Sequence, residues 1–140
     1  MFETRMATRF ALSAFTLLAV LAIDPLEAAA RSNPVEGSWR GNGRAVAKDG
    51  KSYRVRCKVR VYKIAEKKFQ MSGKCSSTKG TTAGAASLKQ VGARSFRGSG
   101  NGLSGTGSGR ISVNVNGKRM SLSVRGDKGR MSVRLRKQGR

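Results

Sequence analysis

The chain has 140 residues, with 29 lysines and arginines against 7 aspartates and glutamates, and its formal charge at pH 7 is +22. It contains no histidine, which excludes a Ser-His-Asp triad, a Cys-His pair and the His-containing zinc sites. A charge this one-sided says little about fold, but it points to anionic partners.

In chain order, residues 1–30 read as a signal peptide. Arg5 and Arg9 supply a basic start, Phe10 to Ile23 an apolar run, and Ala28-Ala29-Ala30 a small-residue cleavage pattern. The apolar run is short of the ~20 residues that a membrane-spanning helix needs. The expectation is an exported protein, periplasmic or extracellular, whose mature chain starts at Arg31 and forms one domain over 31–140. Cleavage would remove Glu3, Asp24 and Glu27 and leave Glu36, Asp49, Glu66 and Asp127 as the acids. Two cysteines in an exported chain, Cys57 and Cys75, read as one disulfide.

From residue 39 onward the pattern is alternation, the signature of half-buried strands. Trp39, Gly41, Gly43, Ala45 and Ala47 share one face, with Arg40 and Arg44 opposite. The stretch 53-YRVRCKVRVYK-63 places Tyr53, Val55, Cys57, Val59 and Val61 on one parity and Arg54, Arg56, Lys58 and Arg60 on the other. A loop centred on Gly50 would align Ala47 with Tyr53 and Gly43 with Cys57. Over Lys68 to Ser76, Phe69, Met71, Gly73 and Cys75 are the inward set. A hairpin turning near Glu66 then sets Val61 against Met71, Val59 against Gly73 and Cys57 against Cys75. Directly opposite Cβ atoms lie close enough for a disulfide, so apolar pairing and the sulfur pair favour the same register.

The middle of the chain is rich in Gly, Ser, Thr and Ala, and it predicts weaker strands near Thr81–Lys89 and Ser95–Gly98. A further strand is expected from Leu103 into Val115, with Gly105, Gly107 and Gly109 facing inward. Asn116-Gly117 is a hairpin signal that would place Val113 opposite Met120 and Ile111 opposite Leu122. Gly126-Asp127-Lys128-Gly129 turns the chain again, setting Met131, Val133 and Leu135 against Val124, Leu122 and Met120. Arg130, Arg134 and Arg136 take the outer side of the last strand.

About eight short strands in sequential antiparallel order, with no helix to cover their apolar face, predict an all-β fold. The expected architecture is a single small up-and-down β-barrel, closed or incompletely closed, with one disulfide. A two-sheet sandwich is the alternative.

The same residues bear on function. No pair of acids shares a face, and the cysteines are committed to a disulfide, so no catalytic residue, metal site or cofactor is expected and the chain does not read as an enzyme. The runs 98-GSGNG-102 and 105-GTGSG-109 lack the following helix and the Gly-Lys-Ser/Thr of a phosphate loop, and read as turns and bends. The cations carry the functional expectation. Arg54, Arg56, Lys58 and Arg60 stand ~7 Å apart along one strand, Arg40, Arg44, Lys68 and Lys74 join them from neighbouring strands, and Arg134 and Arg136 extend the set. Such a face suits polyanions or anionic surfaces: lipopolysaccharide, phospholipid head groups, acidic polysaccharide or DNA, a membrane surface among them, bound by a monomer without sequence selectivity. Two other readings stand beside it. The small inward residues would allow an apolar cavity for a small ligand. The size, export and disulfide also match an inhibitor-type periplasmic interaction protein.

The segment VEGSWRGNG, one cysteine in each of two early strands, and the ending GRISVNVNGKRMSLSV…GRMSVRLRK resemble small exported proteins of alphaproteobacteria, over most of residues 35–137. The resemblance implies an envelope location and a β-rich fold. It implies no activity and carries over no functional residue.

Overall fold

The computed structural model describes residues 33–102 and 107–139. The expected signal peptide at 1–30 lies outside the described residues, as do positions 103–106. Eight strands follow one another: β1 (Gly37–Ala47), β2 (Ser52–Ala65), β3 (Lys68–Ser77), β4 (Gly80–Gln90), β5 (Ser95–Asn101), β6 (Ser108–Asn116), β7 (Arg119–Gly126) and β8 (Gly129–Lys137). Each pairs antiparallel with the next, and β1 pairs with β8 from Trp39↔Lys137 to Ala47↔Gly129, so the sheet is a closed barrel. Incomplete closure and the two-sheet sandwich are therefore excluded. Closure also leaves no sheet edge exposed along β1 and β8.

Alternation in the sequence becomes inside and outside. Val55, Cys57, Val59 and Val61 of β2 are buried, as are Met120, Leu122 and Val124 of β7 and Met131, Val133 and Leu135 of β8. Trp39, Phe69 and Phe96 are the largest fully buried side chains. Phe69 and Phe96 meet edge to face with ring centroids 5.3 Å apart. The expected register of β2 on β3 is present: Cys57 faces Cys75, Val59 faces Gly73 and Val61 faces Met71. The two sulfurs are bonded, and the Cα atoms are 4.1 Å apart, the close approach of a non-hydrogen-bonded antiparallel pair.

Two expected registers are shifted by two residues. Between β1 and β2, Ala45 rather than Ala47 faces Tyr53, and Gly41 rather than Gly43 faces Cys57. The loop centres on Asp49, whose carboxylate accepts the Lys51 N–H at 3.0 Å while Gly50 takes a φ of +87°. Between β6 and β7, Val115 faces Met120, Val113 faces Leu122 and Asn116 faces Arg119. The two turn residues are thus Gly117 and Lys118, not Asn116 and Gly117. Gly117 has a φ of +62°, the requirement at the first central position of a type II′ hairpin. A third difference concerns β6, which begins at Ser108. Gly107 precedes it with a φ of +74° and lies outside the strand rather than at an inward strand position; Gly105 lies outside the described residues.

The inward glycines have a specific use. A Cβ on Gly41 would overlap the Arg134 carbonyl oxygen of β8, and one on Gly98 would overlap the Ser87 carbonyl oxygen of β4. These positions let neighbouring backbones approach closely as the sheet curls, the role of a glycine at a barrel corner.

Candidate functional site

Closure places β1 between β2 and β8 and so gathers cations that are far apart in the chain. Lys74 of β3 is directly opposite Lys58 of β2. Lys58 is opposite Arg40 of β1, Arg40 is opposite Arg136 of β8, and Arg136 is opposite Arg119 of β7. The five form an unbroken row across five strands. Four steps of ~4.8 Å make the row about 19 Å along the curved wall, half of the eight-strand circumference.

The next row holds Arg56, Asn42 and Arg134, with the Asn42 amide position flanked by an arginine on either side. The row beyond pairs Arg54 with Arg44. Arg60 lies on the other side of the first row, opposite Ser38 and Ser72. All of these cations are exposed. The six residues expected from the sequence, Arg54, Arg56, Lys58, Arg60, Arg134 and Arg136, therefore lie on one face, but they are not one strand next to another. Arg40 and Arg44 of β1 stand between the β2 set and the β8 set.

Sequence reasoning missed two members, Arg119 and Asn42. The outward parity of Arg119 beside buried Met120 was a usable signal. That it falls in line with Arg136, Arg40, Lys58 and Lys74 depends on the register of four strand pairs. A second cationic row, Arg110–Arg125–Arg130, runs over β6, β7 and β8.

The acids are placed elsewhere. The Glu36 carboxylate accepts the Asn33 N–H at 2.8 Å and the Lys63 N–H at 3.2 Å. Asp49 closes the β1–β2 loop, Glu66 pairs with Lys63 at 3.3 Å, and Asp127 sits in the β7–β8 turn beside Gly107. Among the described residues Lys63–Glu66 is the ion pair, and no carboxylate stands on the β3–β2–β1–β8–β7 face. The neighbouring cations consequently repel one another without local compensation.

The face is not flat. Asn42, Arg44, Arg54, Arg56 and Ser76 line an open groove of about 630 Å³. A second open groove of about 460 Å³ lies between Arg40, Lys58, Arg60, Ser72 and Lys74. Planar guanidinium groups beside such grooves are suited to bidentate contact with phosphate, sulfate or carboxylate groups.

The interior offers a contrast. It is packed with Trp39, Phe69, Phe96, Met71, Met120 and Met131, all at most 2% exposed. One end is stoppered by residues 33–36. Val35 is fully buried there, and its carbonyl accepts the Trp39 indole N–H at 2.9 Å. Lys137 lies over the Trp39 ring at 5.4 Å and donates to the Pro34 carbonyl at 3.1 Å. The opposite end has a cleft of about 320 Å³ bordered by Tyr53, Thr82, Lys79 and Lys128. Lys79 stacks on Tyr53 there at 4.8 Å, and the Thr82 hydroxyl is buried without a hydrogen-bond partner.

The fold defines the class: a small, closed, up-and-down eight-stranded β-barrel with an apolar interior and a cationic exterior. No protein-family model matches the chain, and no curated protein matches it at a significant level. Several solved structures share the architecture. A de novo designed fluorescence-activating β-barrel aligns with a TM-score of 0.56 at 16% identity, over 77% of this chain and 100% of its own. A redesigned β-barrel, mFAP1, bound to DFHBI aligns with a TM-score of 0.59 at 7% identity, over 74% and 95%. The protein Rv2717c from M. tuberculosis aligns with a TM-score of 0.55 at 11% identity, over 83% and 98%. At these identities the likeness is one of fold.

Proposed function

We propose that this barrel is a non-enzymatic, exported binder of polyanions or anionic surfaces, and that the face of β3, β2, β1, β8 and β7 is its contact surface. The observation that carries the reading is the row Lys74–Lys58–Arg40–Arg136–Arg119, directly opposed cations on successive strands with no carboxylate among them. Directly opposite like charges cost stability, and an anionic partner relieves that cost. Arg54, Arg56, Arg60 and Arg134 flank the row and extend the contact. The disulfide fits an oxidising compartment, as the exported reading requires. The designed barrel bound to DFHBI holds a small ligand; in the present chain Trp39, Phe69, Phe96 and the methionines occupy the interior, which favours the outer face over a small-ligand cavity.

The test is binding to heparin and to anionic vesicles over a salt series, comparing two variants of equal charge. R40Q/K58Q/R136Q removes the centre of the row, and R97Q/R110Q/R125Q removes three cations from β5, β6 and β7. The row variant is expected to lose at least tenfold more affinity than the other. Equal losses would mean that net charge alone drives binding and that the face is no site.

A further inference from the structure

Tyr62, Ile64 and Val91 are the large hydrophobic residues most exposed among the described residues, at 47%, 57% and 55%. They do not scatter. Tyr62 and Ile64 end β2, and Val91 follows β4, at the end of the barrel that also holds the 33–36 stopper. The two segments are tied together there, because the Gln90 N–H donates to the Lys67 carbonyl at 2.9 Å. Ile64 falls where the β2–β3 register shifts, between Lys63 and Ala65. A bulge of this kind inserts an extra residue and re-aims its side chain.

Cations ring these apolar tips. Lys63 precedes Ile64, Lys67 occupies the β2–β3 turn, Lys68 and Lys89 are directly opposite each other, and Arg94 closes the β4–β5 loop. Of the two nearby glutamates, Glu66 is paired with Lys63, and Glu36 is held by the Asn33 and Lys63 N–H groups.

We infer that this rim docks end-on to an anionic lipid bilayer. Ile64 and Val91 enter the boundary between head groups and acyl chains, and Lys67, Lys68, Lys89 and Arg94 meet lipid phosphates. The inference goes beyond the proposed function: it adds the rim as a second surface to the side-wall face and rests on that reading only for the anionic class of partner. Apolar tips amid long cationic side chains match an interfacial anchor, where charged heads stay in the head-group layer while apolar groups go below it. The barrel wall excludes deeper insertion, because it carries arginine, lysine and serine where a membrane-crossing barrel carries an apolar band. Three side chains are also too small a patch for the ~1,200–2,000 Å² of a stable protein interface.

The experiment compares the protein with its I64S/V91S variant on heparin and on vesicles of phosphatidylcholine with phosphatidylglycerol. At 0.5 M NaCl the parent protein should release heparin and retain measurable vesicle binding. The variant should bind heparin as before and lose about tenfold or more of its vesicle affinity, since burying one aliphatic side chain supports at least that factor. A separate I64W variant should shift to the blue and be quenched by brominated lipid, against the constant signal of buried Trp39. Heparin binding without vesicle binding by the parent protein would overturn the inference and leave the proposed function standing; binding to neither would overturn both. Vesicle binding unchanged in I64S/V91S, with I64W emission also unchanged, would overturn it as well. So would unchanged vesicle binding together with lost self-association, which would assign the tips to a protein contact.

Discussion

The cationic row makes a quantitative prediction through its salt dependence. Each phosphate contact on duplex DNA releases condensed counterions, so log affinity falls against log salt with a slope of about −0.9 per contact. Duplex DNA is used here as a probe of known charge density, one charge per ~1.7 Å of axis, so the side of the barrel that faces it meets more phosphates than it has cations. The row bends around half of the closed barrel, so a straight duplex meets its three central members, Lys58, Arg40 and Arg136; the slope is then about −2.7, and raising salt from 50 to 200 mM weakens binding about 40-fold. In R40Q/R136Q the slope should fall to about −0.9 and the loss to about 3- to 4-fold. R110Q/R125Q, which removes two cations from the second row, should leave the slope near that of the parent protein. Fluorescence anisotropy with a labelled 20-mer duplex at five salt concentrations measures all three. A parent slope shallower than about −2, or an equal change in the two variants, would refute the argument that aligned cations act as one contact surface.

Three further outcomes test the fold that builds the face. Removing the disulfide by C57A/C75A opens a loop of 18 residues in sequence separation, which should cost about 3 kcal/mol in urea unfolding; a loss below about 1 kcal/mol would mean that the hairpin is held mainly by packing. Gly41→Ala and Gly98→Ala should prevent folding or destabilise by more than about 3 kcal/mol, because each Cβ would overlap a neighbouring backbone carbonyl. Gly139→Ala, with nothing near its Cβ, should be neutral by circular dichroism melting. Arg40→Gln removes the shared member of two like-charged pairs, Lys58 and Arg136, and should stabilise the protein by a few tenths of a kcal/mol at low salt, the effect vanishing by about 0.5 M as screening sets in. A loss of stability at low salt would show that packing of the Arg40 stem outweighs the repulsion.

Much of the architecture was legible because a strand repeats every two residues. Arg54, Arg56, Lys58 and Arg60 had to face away from Val55, Cys57, Val59 and Val61 in any register. The β2–β3 alignment was legible too, since only one register satisfies both the apolar faces and the bond between Cys57 and Cys75. The β1–β2 and β6–β7 registers were not, because a slip of two residues leaves every side chain on its proper face. There the decision fell to the turns, to Asp49 holding the Lys51 N–H and to Gly117 taking a positive φ as the first turn residue. The glycines were ambiguous for a related reason. Composition shows that Gly41 and Gly98 are small; only the neighbouring backbone shows that the space is already filled.

By itself, then, the sequence determined local matters: which segments are strands, which side chains are inside, the covalent link between two of the strands, and the excess of positive charge. The tertiary structure decided everything that depends on residues far apart in the chain. Pairing of β1 with β8 closes the barrel and inserts Arg40 between Lys58 and Arg136. The curl of the sheet gives the inward glycines their use, and the stopper at 33–36 seals one end. Periodicity is a property of neighbours along the chain, whereas closure and alignment are set by the summed registers of all eight strand pairs. No single stretch of sequence contains that sum.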